Sequence, residues 1–253
     1  MYAEQRQKLI HDAVTESGRA AVSDLAERFE VTTETIRRDL DQLAGAGLLV
    51  RVHGGAVARR TAVMEPDVAT RSSTNTAAKR RIAEAARSLL PSDPSASVLL
   101  DSGTTTAALV PHLHGRTGPL LTNSVDIASS VLQLPGADLH LLPGRVRGAT
   151  HAAVGADTVG ALRSLQPDVA FLGCNGVSGD GFTTPDPDES AVKAAMIRSA
   201  GMRIVLADSS KILARQLSVF ARPWEIDVLV TERDLPAPLH DQLTAHDIEV
   251  LRA

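Results

Sequence analysis

Two domains of different class are predicted. The first is a mainly helical N-terminal unit over residues 1–57. The second is a C-terminal α/β unit with a mostly parallel sheet over 76–253, and a linker at 58–75 joins them. Three observations predict this. Apolar residues at helical spacing form three short stripes before the Gly45–Gly47 region. Apolar strands alternating with helices dominate the chain from about residue 77 onward. Between them, "ARRTAVMEPDVATRSSTNT" is polar and irregular, a linker with room for a short helix. The 253 residues are 43% hydrophobic but only 2% aromatic, so both cores must be built from Ala, Val, Leu and Ile.

The N-terminal elements follow in order. Leu9, Ile10, Ala13 and Val14 mark one face of a helix from about Glu4 to Glu16, stopped by Gly18. Val22, Leu25, Ala26 and Phe29 repeat that spacing behind Ser23, the expected N-cap. Ile36, Leu40 and Leu43 form the third stripe, with Thr32 or Thr33 as cap. "LLVRVHGGAV" then reads as a hairpin turning at Gly54-Gly55. Three helices and a hairpin in this length match a winged helix-turn-helix.

The C-terminal elements alternate. A helix at 77–90 leads to the strand "SVLLD", a helix from about Thr105, the strand "PLLTN" and a helix near 125–132. "DLHLLP", "DVAFLG", "RIVLAD", "IDVLVT" and "IEVL" are further strands, interleaved with helices at about 155–164, 189–200 and 238–246. Buried strands alternating with helices imply a doubly covered, mostly parallel sheet.

Charge does not announce a function. The net charge is −4, and the first 60 residues hold nine Lys/Arg against nine Asp/Glu. Any nucleic-acid contact must come from local placement. On a wheel of about 100° per residue, Arg38 lies opposite Ile36 and Arg37 on its flank, so both face away from the core. Both also have i,i+4 partners in sequence, Glu34–Arg38 and Arg37–Asp41, so solvated helix ion pairs remain an equal reading of this helix alone. The single cysteine, Cys174, excludes an internal disulfide and a cysteine-based zinc site, and its apolar context suggests a packed thiol. His112-x-His114 lacks a third ligand nearby. No metal or cofactor is expected. Neither an apolar leader segment nor a run of 18 apolar residues is visible, so a cytoplasmic location without membrane association is expected.

In an open α/β sheet, ligands collect at the carboxyl ends of strands. "LLDSGTTTAALV" ends a strand with Asp101 and turns through Ser102, Gly103, Thr104, Thr105 and Thr106 into a helix. Such a turn suits an anion through free N–H groups and hydroxyls, or is simply a helix cap. Thr122-Asn123, Gly173-Cys174-Asn175-Gly176, and Asp208 with Lys211 follow other strands. Glu189 and Lys193 open a helix at i,i+4 spacing, which is equally the spacing of a plain ion pair. Together the strand ends predict a polar crevice for a phosphorylated, hydroxyl-rich ligand.

"VSDLAERFEVTTETIRRDLDQLAGAGLLVRVHGGAV" resembles the winged helix-turn-helix of the DeoR family of bacterial transcriptional regulators, through I-R-R-D-L, L-x-x-x-G-L-L and R-x-H-G-G-A. The resemblance implies that Ser23, Thr32, Thr33, Thr35, Arg37 and Arg38 meet operator DNA, with Arg51 and His53 in the wing. The second half resembles the family's sensor domain, whose fold is that of ribose-5-phosphate isomerase. The matches are D-x-G-T-T, T-N, the 173–176 turn, "GFTTPDPDESAVKAAMI", D-S-S-K and, more weakly, Lys79. It departs at Pro143-Gly144, where the family has Gly-Gly, and at Ile212-Leu213, where it has Phe-Gly. The implied protein is a homo-oligomeric repressor, at least a dimer, of a sugar-metabolism operon, relieved by a phosphorylated sugar. An isomerase-like enzyme and a DNA-binding activator are the alternatives.

Overall fold

The structure, a computed structural model, describes residues 3–17, 19–46, 48–52, 54–58 and 67–253. Two compact units are separable, 1–64 and 65–253.

The first unit runs α1 (Ala3–Ser17), β1 (Arg19–Ala21), α2 (Val22–Phe29), α3 (Thr33–Gly45), β2 (Leu49–Val52) and β3 (Gly55–Ala58). Its core is aliphatic: Ile10, Val14, Leu25, Ile36, Leu40 and Leu49 are all buried together. The Ile36, Leu40 and Leu43 stripe is therefore the inner face of α3. Thr32 caps that helix, its Oγ1 accepting from the Thr35 amide at 3.2 Å. Ser23 does not cap α2. Ala21 stands at that position, and the Ser23 hydroxyl bonds Asp24 instead, at 2.8 Å. Strand β1, with no sequence signal in Arg-Ala-Ala, pairs with β3 to give an antiparallel sheet ordered β1-β3-β2. That pairing explains the two glycines. Gly54 turns at φ +80°, and a Cβ on Gly55 would collide with the carbonyl of Ala20. A buried ion pair, Arg6 Nε to Asp39 Oδ2 at 2.6 Å, fastens α1 to α3.

The second unit opens with α4 (Val68–Ser73) and α5 (Thr76–Ala86), then β4 (Val98–Leu100), α6 (Thr104–Ala107), β5 (Pro119–Thr122), α7 (Val125–Val131) and β6 (Asp138–Leu141). A short ribbon follows, β7 (Arg145–Val146) and β8 (Ala153–Val154), then α8 (Ala156–Leu162) and β9 (Val169–Gly173). The chain continues through β10 (Gly176–Ser178), β11 (Gly181–Thr184), α9 (Pro187–Ser199), β12 (Met202–Leu206), β13 (Ser218–Ala221), β14 (Val228–Thr231), α10 (Ala237–Thr244) and β15 (Glu249–Arg252).

Seven strands form one parallel sheet in the order β15-β14-β12-β9-β4-β5-β6. Alternate side chains feed two cores. Leu99, Leu172, Val205 and Leu229 pack with α8, α9 and α10, while Val98, Leu100, Phe171, Leu206 and Val230 pack with α5 and α7. Two-sided burial is why these strands read as unbroken apolar runs. From β4 the chain builds outward through β5 and β6, then returns to place β9 on the other side of β4. The carboxyl ends of β4 and β9 therefore meet where the strand order reverses, the place where such sheets hold ligands.

Three expectations need correction. The helix after Asp101 is a single turn, Thr104–Ala107, followed by a 3-10 turn at Val110–Leu113. One turn offers little aligned dipole to an anion, which leaves the free N–H groups and hydroxyls to hold it. The stretch at 177–188, absent from the expected strands, forms the β10–β11 hairpin, to which β13 adds a third antiparallel strand. The linker expected at 58–75 starts inside β3, whose last residue is Ala58, while the short helix for which this stretch has room is α4.

Candidate functional site

A cavity of about 150 Å³ lies over the strand reversal in the second unit. Ser102 to Thr105 line it from the end of β4, Gly173 to Asn175 from the end of β9, and Asp208, Ser210 and Lys211 from the end of β12. Helix α9 adds Glu189 and Lys193, and α5 adds Lys79. A wider surface cleft of about 590 Å³, lined in part by Arg163, Asp168 and Arg198, sits at the opposite ends of β9 and β12 and gathers none of these residues.

Behind the cavity wall is a buried ion pair. Lys193 Nζ contacts Asp101 Oδ2, donates to the Gly173 carbonyl at 3.0 Å and stands 5.5 Å from the Phe220 ring centre. Asp101 Oδ2 also accepts from the Gly173 amide at 3.1 Å, whereas the buried Oδ1 has no hydrogen-bond partner among the described residues. Burial pushes the Asp101 carboxyl above its ordinary value, with the Lys193 ammonium acting against that shift. Glu189 is not the partner of Lys193. Its carboxylate bonds Arg147 and Thr150, and Arg147 also reaches Asp186 at 3.2 Å. A long-range pair thus replaces the local i,i+4 one.

The cationic side of the cavity is uneven. Burial lowers the Lys79 ammonium from its usual range, partly offset by Asp208. Its Nζ donates to the carbonyls of Arg71 and Thr74, the latter at 2.7 Å. Lys211 Nζ makes no hydrogen bond or ion pair among the described residues, and is a free cation at the rim. Cys174 lines the cavity with its thiol pushed up to about 12 by burial, so it stays un-ionised.

Several predicted contacts stand elsewhere. Thr106 donates to the Asp101 carbonyl at 2.7 Å, and Thr122 accepts from the Ser124 amide at 3.0 Å. Asn123 is fully engaged: Oδ1 accepts from the Ser102 amide at 2.9 Å and Nδ2 donates to the Ala153 carbonyl at 3.0 Å. These buried side chains shape the strand-to-helix turns and do not line the cavity, nor does Gly176. Pro143-Gly144 and Ile212-Leu213, expected near the pocket, also lie outside its lining. Sequence reasoning missed Thr70, Arg71, Thr74 and Asn75, all of which do line it. The available signal was Asp67, whose side chain caps α4 by accepting from the Thr70 amide at 2.8 Å.

In the first unit, Thr32, Thr33, Arg37 and Arg38 are exposed on α3, Ser23 is exposed on α2, and Thr35 is half-buried. Arg37 reaches Glu34 at 3.5 Å, a weak exposed contact, and Arg38 has no ion pair among the described residues. Asp41 does not pair with Arg37. It holds Arg51 Nε at 2.9 Å, while Arg51 Nη1 donates to the Gly55 carbonyl at 3.1 Å. Arg51 therefore ties the hairpin to α3. His53 lies outside the described residues.

The family model for the DeoR-like helix-turn-helix domain matches residues 6–62, and the model for the DeoR C-terminal sensor domain matches 74–233. A putative aga operon transcriptional repressor from Escherichia coli O157:H7 is 31% identical, over 98% of this chain and 93% of its own. An L-fucose operon activator from Haemophilus influenzae is 30% identical, over 96% and 97%. Among solved structures, ribose 5-phosphate isomerase A from Methanocaldococcus jannaschii superimposes with a TM-score of 0.40 at 19% identity, covering 55% of this chain and 56% of that one. That overlap is too loose to carry an argument. The sheet assignment stands on the strand pairing itself. No described helix is long and apolar enough to cross a membrane.

Proposed function

This chain belongs to the DeoR family of DNA-binding transcriptional regulators, and on that premise we propose that it represses a sugar-metabolism operon until a phosphorylated sugar releases it. One observation carries the ligand class. The cavity brings Lys79, Lys211 and Arg71 together with the hydroxyls of Ser102, Thr104 and Thr105; Lys193 is matched by Asp101, and the lining carboxylates are Glu189, held by Arg147, and Asp208. An excess of cation beside hydroxyl donors suits a dianionic phosphate, and the polar groups interspersed among them suit sugar hydroxyls.

The same arrangement disfavours the isomerase alternative. A proton-transfer enzyme needs a carboxylate placed to reach substrate. Here Asp101 is paired behind the wall, Glu189 is held by Arg147 and Thr150, and Asp208 Oδ1 accepts from Asn75 and from Ser210. DNA contact is assigned to the outer face of α3, centred on Arg37 and Arg38, with two or more copies bound on repeated half-sites. Repression is the sign adopted here; the name of the fucose operon relative makes activation the alternative outcome.

The test uses DNA selected by the full-length protein from a random pool. Arg37→Ala with Arg38→Ala should abolish the footprint. A panel of sugar phosphates should contain one that lowers DNA affinity by roughly 5- to 150-fold, while its unphosphorylated parent has little effect. If no sugar phosphate alters DNA affinity, the switch reading fails. A footprint retained by the double alanine variant would remove α3 from the interface.

A further inference from the structure

Helix α4 lies upstream of the matched sensor domain, which begins at residue 74. It is also the first described helix after the hairpin of the DNA-binding unit. Yet Thr70, Arg71, Thr74 and Asn75 line the sensor cavity. This short segment contributes no fully buried residue, so no apolar anchor fixes it to the sheet. Polar contacts hold it in place instead. The Val68 amide donates to the Ala149 carbonyl at 3.0 Å. Lys79 Nζ holds the carbonyls of Arg71 and Thr74 at the far end of the helix. Asn75, in the left-handed region at φ 53°, donates from Nδ2 to Asp208 Oδ1 at 3.1 Å.

Two of these holding groups, Lys79 and Asp208, are themselves cavity residues. An ammonium carries three donors, and Lys79 commits two of them to α4. We infer that α4 is part of the effector site: Arg71 contacts the anion, and Lys79 transmits its occupancy to the α4 backbone. The inference rests on the anion-binding reading of the cavity. A bound anion takes the remaining Lys79 donor and the Arg71 guanidinium, so α4 gains one further attachment, through the anion to Lys79. An element lacking apolar anchorage opens at low free-energy cost and responds measurably when contacts are added. Ligand occupancy is thereby written into the segment next in the chain to the DNA-binding unit, with no need for a long path through the core.

The test is amide hydrogen exchange on the full-length protein, with inorganic phosphate as the probe, for the wild type, Arg71→Ala and Arg71→Lys. The contacts from Lys79 to the Arg71 and Thr74 carbonyls and from Asn75 to Asp208 do not use the Arg71 side chain, so both substitutions keep them. Phosphate should slow exchange at 102–106 and 208–211, and equally at 68–75. Arg71→Ala should weaken phosphate binding on the order of tenfold, the usual effect of losing one charge-assisted hydrogen bond, and Arg71→Lys should recover most of it. Protection at 102–106 and 208–211 with no change at 68–75, and wild-type affinity in Arg71→Ala, would overturn the inference while leaving the anion site standing. Absence of phosphate protection everywhere would overturn the anion reading itself, and this inference with it.

Discussion

Replacing Lys193 with methionine isolates the energetics of the buried pair. The side chains of Asp101 and Lys193 are 1% and 4% exposed, so water cannot stand in for the lost partner. Methionine retains the packing beside Phe220 but leaves Asp101 with the Gly173 amide alone and one oxygen already unpartnered. Removing one partner of a buried pair costs about 3–5 kcal/mol. With a urea slope near the upper end of the usual range, that is a midpoint shift of roughly 1–2 M. Trp224 is the only tryptophan and lies in the second unit, so its fluorescence follows that unit alone. The deficit must also depend on pH. Asp101 is already raised by burial, and losing the ammonium raises it further. A carboxyl raised in the folded state holds its proton where the unfolded chain has lost it. Stability of the variant is then greatest below the ordinary value of 3.8 and falls as pH rises through the folded value. Adding Asp101→Asn should remove both the deficit and its pH dependence, because neutral replacements of a buried pair are often tolerated. A deficit of the same size at pH 4 and pH 7, or none at pH 7, would refute the reasoning.

Two further outcomes follow from backbone and surface. Leu213 occupies the left-handed region at φ +62° with 61% of its surface exposed, at the position where the family has glycine. Leu213→Gly should raise stability by roughly 0.5–1 kcal/mol, the relief of left-handed strain less the added chain entropy; a drop in the melting midpoint would contradict this. The Asp168 carboxylate accepts from the Ser97 hydroxyl at 2.6 Å and its amide at 2.7 Å, which lowers it below 3.8. Its contribution is present above pH 3.8 and lost as pH falls through the lowered folded value. Unfolding midpoints of Ser97→Ala should decline less steeply than wild type in that acid window, and parallel curves would count against the assignment.

Periodicity made most elements legible because a buried face repeats. Ile36, Leu40 and Leu43 leave α3 no other inner side, and β4, β9 and β12 can only be buried strands. Strand β1 was illegible because its three residues carry no β-branched or aromatic side chain and acquire a role only opposite Gly55. The cavity was legible in outline, since a parallel sheet with reversing order brings distant strand ends together. Which polar groups remain available there was not. Asn123 and Thr122 satisfy buried amides, a demand created by folding. Partner choice was illegible for the same reason. Lys193 selects Asp101, 92 residues away, over Glu189 on its own helix, and Asp41 selects Arg51 over Arg37. Sequence spacing sees only the local option. A short helix was legible at 58–75, but its place in the cavity wall was not, because the anchors of α4 are polar.

The Arg51 bridge has a consequence for the DNA that this protein can recognise. One guanidinium bonds both Asp41 on the helix and the Gly55 carbonyl in the hairpin, and Leu49 of the hairpin is buried in one core with Leu40 and Leu43, so α3 and the hairpin form one packed unit, proposed here as a single reading head. Such a head cannot stretch to follow an inserted base pair, which advances the duplex by about 3.4 Å and turns it by about 35°. Binding sites for this regulator should therefore drift in base identity but not in internal length. A single inserted pair between the positions met by the helix and by the hairpin should be less tolerated than any single substitution at either.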